Sequence, residues 1–203
     1  MSTQDNHAVQ ASDESAIEKT TEATAGATAA PALPQHPPRA LRRRRAIGIM
    51  GGTFDPIHNG HLHIARAFAD EIGLDLVVFL PAGDPYHKDS TRTPAQERLN
   101  MVELAIADEP KFAASDCDII RDGATYTFDT VQIFRQQFPG AQLWWLMGSD
   151  SLMQLHTWKK WQTLVRQTHI AIAMRQGDNL NKTPRELHAW LGEALQNGSV
   201  RIL

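Results

Sequence analysis

The chain has 203 residues, of which 42% are hydrophobic, and its formal net charge is −3. This length allows one packed domain with a tail, and the small negative charge excludes the strongly basic surface on which bulk nucleic-acid binding depends. The single cysteine, Cys117, excludes an internal disulfide and fits a reducing cytoplasm, and we expect it as a small buried residue inside a strand.

The N-terminal segment differs in composition from the rest of the chain. Residues 1–40 are rich in Ala, Thr, Ser, Gln, Pro and acidic residues, and they have no apolar segment of the kind found in signal peptides. We predict a disordered tail over 1–45, in which the four arginines at 42–45 form a solvated linker. No apolar run approaches the roughly 18 residues of a membrane helix, so we expect no membrane partner. The sequence thus predicts a cytoplasmic protein with one folded domain over 46–203, and it carries no signal for oligomeric state.

Apolar runs typical of buried strands alternate along the chain with patterns of helical period. The predicted strands cover 46–51, 76–80, 112–120, 143–147, 170–174 and 200–203. The predicted helices cover 59–72, 94–107, a segment from 127 or 129 to 138, a short segment after 148–150, and 184–195. This alternation predicts a Rossmann-like, doubly wound parallel α/β sheet, and such sheets bind ligands at the carboxyl ends of their strands.

The turn between the first strand and the first helix is the most informative segment, with the sequence GGTFDPIHNGHL over 51–62. Backbone N–H groups at a helix N-terminus attract anions. His58 and His61 lie three residues apart on one side of that helix start, and Gly60 between them leaves space for a ligand near the backbone. The turn predicts a phosphate site. A capping role for the histidines and a zinc site are the alternatives, and zinc is disfavoured because His63 points away and the motif has no acidic or cysteine ligand.

This turn resembles the G-x-F-D-P-x-H-x-G-H signature of the nucleotidylyltransferase superfamily, and further motifs resemble the bacterial nicotinate-nucleotide adenylyltransferases. These motifs follow the order of that family, at 81–88, 98–101, 125–127, 148–152 and 157–158. The resemblance spans 46–203. It implies transfer of an adenylyl group from ATP to nicotinate mononucleotide, giving deamido-NAD and pyrophosphate in NAD biosynthesis, with Mg²⁺ as the cofactor.

The resemblance also implies roles for individual residues on the ATP side. His58 and His61 are the catalytic candidates, which would stabilise charge on the α- and β-phosphates. The implied ATP-binding residues are Gly51, Gly52, Thr53, Phe54, His58, Gly60, His61, His87, Lys88, Gly148 and Asp150. Asp150 matches the family's ribose-contacting acid, Phe54 has packing as its alternative role, and Asp55 is expected to brace the turn through backbone N–H groups.

The implied acceptor-binding residues are Tyr126, Thr127, Trp158 and Arg175. In the family the tryptophan stacks on the nicotinate ring, and core packing together with Trp161 is the alternative. The family often has an aromatic residue after this tryptophan, where this chain has Lys159. Arg175 is assigned to the phosphate of the mononucleotide, whereas for Arg98 a site role and a surface charge both stay open.

One element of the family pattern is missing, which keeps other functions open. The family has an I-S-x-T-x-[IV]-R segment after its last strand, and this chain stops at Leu203, so we expect a C-terminally incomplete domain. One alternative is a pantetheine-phosphate adenylyltransferase, whose motif usually has Thr at the position of His58. The others are a nicotinamide-nucleotide adenylyltransferase and a nucleotide-binding module with impaired catalysis.

Overall fold

The computed structural model describes residues 46–83, 93–121 and 123–203, so the predictions for the tail and for His87 and Lys88 lie outside the described residues. The strands are β1 Ala46–Gly52, β2 Leu76–Pro81, β3 Phe112–Ala114, β4 Gln142–Gly148, β5 His169–Ala173 and β6 Val200–Ile202. The helices are α1 Asn59–Ile72, α2 Ala95–Ala105, α3 Thr127–Gln137, α4 Ser149–Gln154, α5 Trp161–Gln167 and α6 Arg185–Asn197. Short 3₁₀ helices lie at Leu155–Thr157 and Leu180–Lys182.

The predicted doubly wound sheet is confirmed. All paired strands are parallel, in the order β3-β2-β1-β4-β5-β6. Ile47 of β1 lies opposite Leu76 of β2 on one side and Leu143 of β4 on the other. The strand order reverses at β1, and the carboxyl ends of β1 and β4 therefore open a crevice at the position where such sheets bind ligands.

Helices cover both faces of the sheet because alternate strand residues are apolar on each face. One face packs Ile47, Ile49 and Trp145 against side chains from α3 to α6, such as Phe134 and Leu187. The other face packs residues of the same strands against α1 and α2, and Phe68, Ala65 and Val102 are examples of these helix side chains. Burial of both faces explains why the central strands are almost continuously apolar.

Most predicted elements agree with the structure, and two differ. The first helix has the predicted bounds and ends at Gly73 in the left-handed conformation, with φ 74°. The third strand is shorter than predicted, because the N–H groups of Ile119 and Ile120 donate to the carbonyl of Asp116 and turn the chain. Helix α5 was not predicted.

The expected position of Cys117 is wrong. This residue lies in the turn after β3 rather than inside a strand, and it is half-buried. Burial, with a smaller contribution from neighbouring carboxylates, raises the pKa of the thiol to about 11. The thiol is therefore protonated at neutral pH, and it is a poor nucleophile.

Candidate active site

A cleft of about 440 Å³ opens at the carboxyl ends of β1, β2, β4 and β5. Its walls include eight of the predicted site residues, which are Gly51, Gly52, His61, Thr127, Gly148, Asp150, Trp158 and Arg175. Residues on the two sides of the strand-order reversal thus meet around one cavity. Among the described residues, the predicted site residues outside its walls are Thr53, Phe54, His58, Gly60 and Tyr126.

The two histidines form a reciprocal cap on helix α1. His58 is the N-cap, and its Nδ1 accepts the N–H of Gly60 at 3.2 Å. In return, Nδ1 of His61 accepts the N–H of His58 at 3.3 Å. The imidazole rings stack with their centroids 3.8 Å apart. The capping role that the sequence left as an alternative is therefore real, and it determines what else the rings can do.

Capping selects the tautomer of both imidazoles. Because each Nδ1 accepts a backbone N–H, the proton of each neutral ring lies on Nε2, which leaves an N–H donor on the opposite side of the ring. Burial, followed by the neighbouring charge of His58, lowers the pKa of His61. His61, which lines the cleft, is therefore neutral near pH 7 and carries an Nε2–H donor that a phosphate oxygen could accept.

Phe54 has a packing role instead of an exposed position. Its ring is buried, it contacts the ring of His61 edge-on at 5.1 Å between centroids, and it packs against Phe79 at 5.8 Å. The backbone of Phe54 adopts φ 51°, which is uncommon for a residue with a side chain and turns the ring back into the core. The Phe54 ring thereby packs against the imidazole of His61, a catalytic candidate.

Arg98 is buried, so the hypothesis that it is a surface charge is wrong. The guanidinium is fully buried, and it donates to the carbonyl of Thr53 at 2.7 Å and to that of Thr93 at 3.0 Å. Asp55 accepts the N–H of Thr93 at 3.3 Å, as its predicted bracing role requires. These contacts tie the turn after β1 to the start of α2. Thr53 itself is exposed.

The glycines of the turn make room for rings. A Cβ at Gly60 would lie 3.0 Å from Nδ1 of His58, so the space predicted for a ligand belongs to that imidazole. A Cβ at Gly51 would lie 2.9 Å from the Trp145 ring, and one at Gly52 would lie 3.0 Å from the ring of Phe54. The first turn is thus packed closely, and a larger residue would displace the groups that form the cleft.

Asp150 lies in the first turn of α4, directly after β4. A Cβ at Gly148 would lie 2.4 Å from Oδ1 of Asp150, so the carboxylate rests on the glycine. Gly148 has φ −82° and ψ 165°, which any residue can adopt, so this glycine is needed for space rather than for its backbone. The glycine positions an acceptor at the cleft wall, where hydroxyl groups of a sugar could donate to it.

Trp158 also forms part of the cleft wall. Its ring meets that of Trp145 edge-on, with centroids 6.3 Å apart and an interplanar angle of 88°. Trp161 pairs instead with Trp190 of α6, and both Trp158 and Trp161 pack against the same core, so the packing role stays open beside the cleft role. Trp158 is half-buried and lines the cleft, where its indole can stack on a planar ligand.

Tyr126 does not line the cleft and is 44% exposed. The ammonium of Lys159 lies 4.5 Å from the centroid of its ring and 2.8 Å from Oδ2 of Asp129. The lysine that replaces the family's aromatic residue therefore contacts the exposed side of α3. Thr125 and Thr127, on either side of Tyr126, line the cleft instead.

Asp118 lines the cleft but was not predicted from the sequence. Its Oδ1 accepts from Arg121 Nη2 and from the Thr130 hydroxyl, each at 2.7 Å. Burial raises the pKa of Asp118, while Thr130 and Arg121 act in the opposite direction. Because the third strand was predicted to run through this position, the turn that brings Asp118 to the carboxyl edge was missed. A predicted strand that ended at Ala114, as β3 does, would have placed Asp118 in the turn at this edge.

No helix within the described ranges is long and apolar enough to cross a bilayer.

The fold and the first turn define a class of proteins. A family model described as cytidylyltransferase-like matches residues 49–197, which include the paired histidines, Asp150 and Trp158. Two structures of the Plasmodium falciparum nicotinic acid mononucleotide adenylyltransferase share the fold. The complex with NaAD has a TM-score of 0.60 at 19% identity, over 78% of this chain and 74% of that chain. The complex with APC has a TM-score of 0.59 at 17% identity, with the same coverage.

Relatives at higher identity specify the family. A protein of Neisseria meningitidis serogroup C, named probable nicotinate-nucleotide adenylyltransferase, is 79% identical over 159 residues, which are 78% of this chain and 81% of that protein. A protein of the same name from Chromobacterium violaceum is 42% identical over 158 residues, or 76% and 74% of the two chains. The chain belongs to the nicotinate-nucleotide adenylyltransferase family.

Proposed function

We propose that this chain transfers the adenylyl group of ATP to nicotinate mononucleotide, with deamido-NAD and pyrophosphate as products. The observation that carries the proposal is a single cleft that gathers an imidazole donor, a carboxylate and an indole: His61, Asp150 and Trp158. These are the chemical groups that a polyphosphate, a ribose and an aromatic ring each require. Family membership supports the same reaction.

The chemistry needs positioning more than acid–base catalysis. A phosphate oxygen of the mononucleotide attacks the α-phosphorus of ATP, a new P–O bond forms, and the bond to the bridging oxygen breaks as pyrophosphate leaves. The attacking phosphate monoester is already ionised near neutral pH, so it needs no strong base. In-line placement and stabilisation of the charge on the phosphates therefore account for most of the rate.

His61 is the group for the phosphate charge. Its Nδ1 is engaged by the cap, so Nε2–H donates to an α- or β-phosphate oxygen. His58 stacks on the same ring and caps the same turn, and its Nε2–H is a second donor beside the cleft. The N-terminus of α1 adds a favourable dipole for the anion.

The two ends of the cleft would hold the two nucleotides. Asp150 would accept from the ribose hydroxyls of ATP, at the N-terminus of α4. Trp158 would stack on the nicotinate ring, and Arg175, two residues after the end of β5, would pair with the phosphate of the mononucleotide. His87 and Lys88 are proposed as further phosphate contacts on the strength of the family resemblance alone.

Mg²⁺ is the proposed cofactor. Among the described residues, no group of three or more His, Cys, Asp and Glu side chains is placed to hold a metal ion. We therefore propose that the phosphates of ATP and water molecules hold most of the ion, which is the usual way that proteins bind magnesium with nucleotides. Bound in this way, it would neutralise phosphate charge. We propose that the reaction takes place in a bacterial cytoplasm.

The test is pyrophosphate release by this chain with ATP, Mg²⁺ and each of three acceptors: nicotinate mononucleotide, nicotinamide mononucleotide and phosphopantetheine. We expect release with nicotinate mononucleotide and formation of deamido-NAD. Release with only one of the other acceptors would assign the chain to that reaction instead. If no pyrophosphate is released with any of the three acceptors, and calorimetry shows that ATP binds, the chain is a nucleotide-binding module.

A further inference from the structure

Two segments of the cleft wall meet at Asp178, a residue that none of the motifs includes. Asp178 lies five residues after β5, in a turn that its N–H closes by donating to the carbonyl of Arg175 at 3.0 Å. Its Oδ2 accepts the N–H of Arg175 at 2.6 Å. The same oxygen accepts the hydroxyl of Ser149. One carboxylate oxygen therefore joins the β5 loop to the start of α4.

The partners of Asp178 adjoin the residues assigned to the two substrates. Ser149 is buried and lies between Gly148 and Asp150, so a constraint on its side chain constrains the first turn of α4. Arg175 lines the cleft, and its backbone N–H is the group that Asp178 binds. The hydrogen bond from Ser149 and then that from Arg175 hold the pKa of Asp178 below its usual range. The bridge is thus formed by an ionised acceptor.

Asp178 itself stands outside the cleft. It lines a neighbouring open groove, together with Gln154 and Lys182. Because Asp178 does not line the cleft, its carboxylate can act on bound substrates only through the two segments that it joins.

We propose that Asp178 is a positioning residue that fixes the distance between the ATP side of the cleft, at Asp150, and the acceptor side, at Arg175. This inference rests on the proposed function, since it assigns ATP to one segment and nicotinate mononucleotide to the other. In-line attack depends on the relative placement of two bound nucleotides, so a link between their binding segments affects both.

The experiment compares steady-state kinetics of four single variants and one double variant with the parent chain. Asp178→Ala removes the bridge. Asp178→Asn keeps an oxygen that can accept both hydrogen bonds, and Ser149→Ala removes the donor on the α4 side. Asp70→Ala, an exposed acid near the end of α1, is the matched control. Melting temperatures establish that each variant is folded.

We expect Asp178→Ala to raise KM for ATP and for nicotinate mononucleotide by about tenfold each, because neither binding segment is then held in place. We expect kcat to fall by about a hundredfold, because the two nucleotides are no longer aligned for in-line attack. Asp178→Asn and Asp70→Ala should stay close to the parent chain. The double variant with Ser149→Ala should be no worse than Asp178→Ala alone, because both changes break one bridge.

Unchanged KM values in a folded Asp178→Ala variant would overturn the inference. A rise for only one substrate, or an Asp178→Asn variant as impaired as Asp178→Ala, would overturn it as well. A parent chain that forms no deamido-NAD would contradict the proposed function instead. The bridge is then tested by calorimetry with ATP alone, where Asp178→Ala should bind about tenfold more weakly and an unchanged affinity would refute the positioning role.

Discussion

Gly148 offers a substitution whose effect can be worked out from distances. An alanine Cβ at this position would lie 2.4 Å from Oδ1 and 3.6 Å from Cγ of Asp150. The backbone of Gly148, with φ −82° and ψ 165°, accepts alanine without strain. The collision involves the end of an exposed, rotatable side chain, so we expect Gly148→Ala to fold while Asp150 swings away from its present position.

We expect Gly148→Ala to weaken the binding of ATP. If Asp150 accepts from the ribose hydroxyls, displacement of its carboxylate removes at least one hydrogen bond to a charged group, worth about 1.5–3 kcal/mol. That free energy corresponds to a rise of about ten- to a hundredfold in KM for ATP. KM for nicotinate mononucleotide should change by less than about threefold, because the acceptor residues are not displaced.

The assay is initial-rate pyrophosphate release with each substrate varied in turn, accompanied by a melting curve. Gly192→Ala is the matched control, since a Cβ at that helical glycine meets no atom within 4 Å. It should leave both KM values unchanged and raise stability slightly through helix propensity. A folded Gly148→Ala variant with the parent KM for ATP would refute the assignment of Asp150 to the ribose.

Trp158→Ala should raise KM for nicotinate mononucleotide by about tenfold through lost stacking and leave KM for ATP within about twofold; an equal rise in both would show that the indole only supports the fold. Burial, and then a neighbouring imidazole, lower the pKa of His61 in the folded chain from its ordinary value of 6.5. The unfolded chain therefore binds a proton that the folded chain resists, so the free energy of unfolding should decrease as pH falls below about 6.5. Denaturant titrations between pH 8 and pH 5 should show a smaller loss in His61→Gln than in the exposed control His63→Gln, and equal losses would contradict this. Arg98→Met should cost about 2–4 kcal/mol in urea unfolding, because it removes both hydrogen bonds by which the buried guanidinium joins the carbonyls of Thr53 and Thr93; an unchanged midpoint would count against that role.

Local patterns predicted the elements that frame the site. The apolar run of β1, the helical period of α1 and the left-handed Gly73 all depend on neighbours within a few residues, so the sequence located them closely. The turn after β3 was missed because Ala, Ser, Cys and Asp over 113–118 fit a strand as well as a turn. The polar turn depends on carbonyl contacts, such as that of Asp116, which periodicity does not report.

Contacts between distant segments set the limit on the site prediction. Arg98 meets the carbonyl of Thr53 across 45 positions of sequence, and only the packed fold shows that its charge points inward. The bridge between Ser149 and Asp178 spans 29 positions and carries no local motif. Histidine capping was foreseen as an alternative to phosphate binding, and the structure shows that capping leaves Nε2 available for it.

The most direct test of this account is the rate of pyrophosphate release by His61→Gln with ATP, Mg²⁺ and nicotinate mononucleotide. Glutamine at the third helical position can still accept the N-cap N–H, so the variant removes the imidazole donor while it keeps the capping contact. We expect a folded protein whose kcat falls about 10²–10³-fold, as for loss of one donor to transition-state charge. A folded variant with the parent rate would contradict the assignment of catalysis to this cleft.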